Sequence, residues 1–142
     1  MLIRAIRGEN FMKFRRIALE NIPATGLIGI EGKNEGGKST IGELLQFALF
    51  GKTCNTPAAG VSDLINWDQD HCMVEFDFEV KNDGETESRL FRIWREMDRY
   101  GTNYVRLMRL QDDSTAKVAE EVASGARQVE LALRKLLRFE FE

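Results

Sequence analysis

Residues 29–40 read GIEGKNEGGKST. Gly32, Gly36 and Gly37 fall within six positions, and Lys38, Ser39 and Thr40 follow directly. The pattern G-x-x-x-x-G-K-[ST] is met by Gly32, Gly37, Lys38 and Ser39. Its spacing has a physical cause. A loop whose consecutive backbone N–H groups turn inward makes an anion cradle, and glycine permits both the dihedrals and the close approach. A helix beginning near Lys38 adds the positive end of its dipole to the same anion. A phosphate-binding loop is therefore expected over Gly32, Lys33, Asn34, Glu35, Gly36, Gly37, Lys38, Ser39 and Thr40. In it Lys38 reaches the β- and γ-phosphates, Ser39 ligates Mg²⁺ and Thr40 touches the α-phosphate.

The flanks match that reading. TGLIGIEG (25–32) is a short apolar run opened by Gly26 and closed by Gly32, which predicts a strand buried on both faces. Downstream, Ile41, Leu44, Leu45, Ala48 and Leu49 fall at i, i+3, i+4, i+7 and i+8, an apolar stripe of a helix capped by Gly51. Strand, glycine loop and helix follow in the order that a phosphate loop requires.

Further upstream, MLIRAIR and KFRRIALENI read as two strands of a hairpin or edge ribbon joined at GEN (8–10). Residues 52–71 read as a loop with at most a short helical turn. Beyond them CMVEFDFEV alternates, with Val74, Phe76, Phe78 and Val80 on one face and Glu75, Asp77 and Glu79 on the other. SRLFRIWREM and NYVRLMRL continue the pattern, with turns at KNDGE and RYGTN, so an antiparallel meander is expected. From Lys117 the apolar positions Val118, Val122, Ala126, Val129, Leu133 and Leu136 recur every three or four residues and predict a helix of about five turns over 118–137. The sequence ends at RFEFE without a terminating signal, as expected of a piece of a longer chain.

With 142 residues, 43% hydrophobic and 30% charged, the chain has the composition of one soluble domain. Its formal charge of −3 and pI near 5.4 give no global footprint for nucleic acid, so DNA contact would be local or supplied by an assembly. Cys54 and Cys72 form no CxxC pair. His71 beside Cys72 is a poor metal set, and a reduced, cytoplasmic protein is expected. No run approaches the ~18 apolar residues of a membrane span, and the amino terminus lacks a signal-peptide core, so no membrane partner is expected.

The loop by itself does not separate kinases, GTPases and ATPases. A small GTPase would add a magnesium-binding aspartate motif and an Asn-Lys-x-Asp base reader; KNDG at 81–84 is not that pattern. Over nearly its whole length, however, the chain resembles the amino-terminal lobe of the ATPase head in the SMC and SbcC group, which includes the repair ATPase Rad-fifty. The turn N-F-x-x-[FH] is matched by Asn10, Phe11 and Phe14. The loop G-x-N-x-x-G-K-[ST] is matched by Gly32, Asn34, Gly37, Lys38 and Ser39, and the helix end A-L-[FY]-G by Ala48, Leu49, Phe50 and Gly51. Met12 stands where repair members often carry arginine, with Lys13 next, and Glu35 where many have glycine.

The resemblance implies an α/β fold: a P-loop NTPase, ABC-ATPase-like amino-terminal lobe over 1–142 with an antiparallel β-meander, incomplete without the carboxy-terminal lobe. It implies ATP and Mg²⁺ as ligands and ATP hydrolysis in a full-length dimer, with negligible turnover by residues 1–142 alone. The Q-loop glutamine, coiled coil, signature motif, Walker B pair and switch histidine would lie beyond residue 142, and neither Gln69 nor His71 stands where they would. Implied partners are the carboxy-terminal lobe, a second head in a homodimer and DNA through the assembled complex, in a bacterial or archaeal nucleoid; a nuclease partner stays open. So does a second reading, a P-loop scaffold that holds nucleotide without turnover.

Other candidates have bland alternatives. By resemblance Asn66 and Trp67 lie in a loop that approaches the base or ribose, against plain packing. Arg89, Arg92, Arg95, Arg99, Arg106 and Arg109 form either a basic stripe for phosphates or a solvated face paired with acids, and the second is favoured.

Overall fold

The computed structural model describes residues 1–33, 36–56, 58–113 and 116–138. Six strands form one antiparallel sheet: β1 (Leu2–Phe11), β2 (Phe14–Leu19), β3 (His71–Val80), β4 (Arg89–Asp98), β5 (Asn103–Asp113) and β6 (Ala116–Ser124). Their spatial order is β2-β1-β3-β4-β5-β6. Helices α1 (Lys38–Phe50) and α2 (Ala126–Leu137) complete the α/β unit, and a 3-10 helix spans Ala58–Leu64.

Alternation sets the two faces of the sheet. Val74, Phe76, Phe78, Phe91, Ile93, Met97, Val105 and Leu107 are buried, and they form one core cluster with Leu44, Phe47 and Ala48 of α1 and Val129 and Leu133 of α2. Phe76, Phe78 and Phe91 stack in sequence along it, with ring centroids 5.2 and 5.7 Å apart. Both helices thus serve one face, and the expected meander is present, with β3, β4 and β5 paired in register from His71↔Asp98 to Leu90↔Leu110.

On the opposite face Asp77 is nevertheless buried, at 2% exposure. Arg92 donates to its two oxygens at 2.6 and 2.9 Å, and Arg7 donates to it at 3.0 Å. Burial alone would raise the carboxyl's pKa; the hydrogen bonds and charges of Arg92 and Arg7 outweigh it and hold the group below its ordinary value.

Four expectations are corrected. The helix over 118–137 divides: residues 116–124 form β6 along β5, and α2 begins only at Ala126. A Val118–Val122 spacing of four satisfies a strand period as well as a helical one, and Gly125, at φ 85°, separates the two elements. The strand over 25–32 is absent; these residues are irregular, and Leu27, Ile28 and Ile30 are 99, 55 and 50% exposed. Burial on both faces requires neighbouring strands, and the sheet of this chain does not extend to that segment. The first hairpin turns at Met12 and Lys13, because β1 runs through Gly8, Glu9 and Asn10 to the pair Phe11↔Phe14. The buried side of α1 is Thr40, Glu43, Leu44, Phe47 and Ala48, one position from the expected stripe; Ile41, Leu45 and Leu49 pack at its margin.

The arginines are dispersed. Arg89 pairs with Glu85 and Arg106 with Glu121 toward solvent, and Arg92 with the buried Asp77, an acid-paired pattern rather than one stripe. Arg95 is the exception, buried beneath α1 at 4% exposure. Among the described residues no helix is long and apolar enough to cross a membrane.

Candidate functional site

The segment from the end of β2 to α1 carries the glycine loop. Helix α1 starts at Lys38 because Gly37 takes a left-handed conformation, φ 89° and ψ 15°, and turns the chain into the first helical residue. Thr40 N–H donates to the Gly37 carbonyl at 3.1 Å, closing the first turn. Gly37 supplies no side-chain cap and the first turn holds no acid, so among the described residues the positive end of the helix has no capping side chain and no first-turn carboxylate.

Upstream, the Gly36 N–H donates to the Lys33 carbonyl at 3.0 Å, and a Cβ on Gly36 would stand 2.9 Å from that oxygen. The backbone is folded too closely there for a side chain. Lys38 bends back over the loop, its Nζ donating to the carbonyls of Gly32 at 2.5 Å and Lys33 at 3.2 Å. Lys33, Gly36, Lys38 and Ser39 are exposed, whereas Thr40 is 3% exposed and faces the core. Asn34 and Glu35 lie outside the described residues.

Such a site has an exposed ammonium, a helix amino terminus without acid, and glycines at two points where a Cβ would collide. These features fit a phosphate group. For Mg²⁺ the exposed hydroxyl of Ser39 is the one available protein ligand among the described residues of the loop, which suits an ion that keeps water and phosphate oxygens in its shell. Among the described residues no group of three His, Cys, Asp or Glu side chains could hold a metal, and His71 and Cys72 are not drawn together with other ligands.

Neighbouring segments buttress the loop. Phe11 is fully buried, with its ring 5.7 Å from Phe47 of α1, and Phe14 lies against Gly37. Asn66 is buried; its Nδ2 donates to the Met12 carbonyl at 2.8 Å and its N–H to the Asn10 carbonyl at 2.8 Å. Arg99 in turn donates to the Asn66 and Gln69 carbonyls, at 2.9 and 2.6 Å. Asn66 thus braces the hairpin turn, while Trp67 beside it is 87% exposed and does not pack. Sequence patterns gave no sign of this brace; the separation of Asn66 from Met12 by 54 residues hides it.

Comparison with known proteins bears on the family and the fold. A family model described as an AAA domain matches residues 5–133. The chain is 25% identical over 129 residues to the SbcC component of the nuclease SbcCD of Bacillus subtilis (strain 168), a match that covers 89% of the chain and 11% of that protein. It is 33% identical over 89 residues to the DNA replication and repair protein RecF of Desulforudis audaxviator (strain MP104C), covering 63% of the chain and 23% of that protein. The chain therefore spans a minor part of both relatives. Among solved structures, one from work on ATP-driven dimerization and DNA-stimulated activation of SMC ATPases superposes with a TM-score of 0.65 at 17% identity, over 96% of this chain and 80% of that one.

Proposed function

The chain belongs to the AAA domain family and has the SMC/SbcC-type head fold, and from that premise we propose that it is the ATP–Mg²⁺-binding lobe of an ATPase head. The observation that carries this reading is Lys38, folded over the Gly32 and Lys33 carbonyls at the start of α1, whose first turn holds no acid. In this reading the backbone of Gly32 to Gly37 cradles the phosphates and Lys38 exchanges its two carbonyl acceptors for β- and γ-phosphate oxygens. Ser39 supplies the hydroxyl for Mg²⁺. Bound nucleotide provides the phosphoanhydride, and these residues orient it and neutralise its charge.

A second lobe completes the head. Support comes from Leu27, Ile28 and Ile30, an apolar run with the composition of a buried strand that stands exposed in this chain. Head dimerisation and work on DNA, in repair or chromosome maintenance, follow in this reading from the assembled protein. The chain alone turns over negligible ATP.

Calorimetry of Mg-ATP binding tests the proposal, with the chain intact and as Lys38→Ala, alone and mixed with the second lobe. Binding that requires Lys38 and tightens with the second lobe is the expected result. Binding without turnover by the paired lobes would favour a nucleotide-holding scaffold, and no binding in any mixture would remove the nucleotide site altogether.

A further inference from the structure

We propose that Phe14 is a positioning residue for the phosphate loop, its ring being the surface against which Gly37 adopts its left-handed turn; this rests on the nucleotide reading above. A Cβ on Gly37 would lie 2.8, 3.2 and 3.5 Å from Cζ, Cε2 and Cε1 of Phe14. The ring therefore abuts the backbone at the residue that sets the direction of the loop into α1. Gly37 is itself buried although its neighbours on both sides are exposed.

The ring is held by a strained support. Phe14 follows a two-residue connection in which Met12 has φ 50°, and Asn10 before it has φ 53°. A non-glycine residue such as Met12 is disfavoured in that region and stays there only when its surroundings impose it. Three hydrogen bonds from a distant segment impose it here: Met12 N–H to Leu64 O at 2.7 Å, Asn66 N–H to Asn10 O at 2.8 Å, and Asn66 Nδ2 to Met12 O at 2.8 Å. The chain of contacts runs from buried Asn66, through the Asn10–Lys13 turn and the Phe14 ring, to Gly37. Neither Phe14 nor Asn66 needs to touch the nucleotide for the arrangement to set the loop's amide directions.

The test uses the full chain as Phe14→Leu and Asn66→Ala, with Val129→Ala, in α2 over β5 and β6 at the far edge of the sheet, as a core variant remote from the loop. Two quantities are read at a temperature where circular dichroism shows each variant folded: Mg-ATP affinity by calorimetry and the Gly37 amide resonance by ¹⁵N-labelled NMR. Phe14→Leu and Asn66→Ala are expected to weaken Mg-ATP by about tenfold and to shift the Gly37 amide. Val129→Ala is expected to alter neither. An unmoved Gly37 amide in Phe14→Leu, or an affinity loss matched by Val129→Ala, overturns the proposal. If the intact chain shows no Lys38-dependent binding, the nucleotide reading falls and this role falls with it, whereas normal binding by Phe14→Leu removes only the role of Phe14.

Discussion

The guanidinium of Arg95 donates through both Nε and Nη2 to the Ala48 carbonyl near the end of α1, at 3.3 Å each. Its Nη1 donates to Asn103 Oδ1 at 3.3 Å, and its carbon centre lies 5.6 Å from the Phe47 ring centroid. The charge is thus held by carbonyl and amide oxygens at the negative end of the helix and by an aromatic face. Burial pushes its pKa down to about 10. A Cβ on Gly51 would stand 2.9 Å from Nη1, so the left-handed cap of α1 and the arginine fit as one unit.

Removing this side chain leaves the Ala48 carbonyl without its donors and a void under α1. Arg95→Ala is expected to destabilise the chain by about 2–4 kcal/mol in urea unfolding. Arg95→Met, which refills part of the volume, should lose less. Equal losses for both would show that hydrogen bonding rather than packing dominates.

Asp77 makes stability depend on acid. Its folded pKa lies below the ordinary 3.8, so it binds fewer protons folded than unfolded between the two values. The stability it contributes is therefore fully present above about 3.8 and is lost as pH falls through the folded value. Asp77→Asn should cost about 3 kcal/mol at pH 7, because Arg7 and Arg92 lose their buried partner, and should flatten the profile below pH 4. Urea midpoints measured from pH 7 to pH 2 check both; an unchanged acid slope in the variant would exclude Asp77 as its source.

Leu27 and Ile30 contribute nothing visible to the core of this chain. Leu27→Ser with Ile30→Ser should leave Tm within about 2 °C and reduce self-association seen by light scattering. With the second lobe present, the same pair should weaken the association of the lobes. A large fall in Tm of the chain alone would mean that the segment packs internally.

The two cysteines should separate cleanly. Cys54 is exposed, whereas Cys72 is fully buried, and burial, with the nearby Glu96 charge, pushes its thiol up to about 12. At pH 8 a disulfide reagent should titrate one thiol rapidly and the second only in denaturant. Fast reaction of both in the native protein would contradict the burial of Cys72.

Local patterns were sufficient where the signal is contained in neighbouring residues. The alternation of Val74, Phe76, Phe78 and Val80 specified β3 and its buried face, because period two leaves a single way to bury four apolar side chains against α1. Gly37 and Gly51 bracketed α1, since both ends require left-handed backbone. Arg95 was legible in part: it shares the odd-numbered face of β4 with Phe91, Ile93 and Met97. Its partner Ala48, 47 residues away, was not.

The amino-acid sequence by itself determined the glycine loop, the helix that follows it and the meander, because glycine dihedrals and side-chain periodicity act over a few residues. Tertiary structure decided the rest. Val118 and Val122 fit either period, and the pairing of β6 with β5 made them strand. The run 27–30 has the composition of a strand but is left unpaired and exposed, since a strand forms only where another backbone meets its N–H and C=O groups. Likewise the support of Gly37 by Phe14 and Asn66 arises from three segments far apart in sequence, brought to one end of the sheet by its strand order.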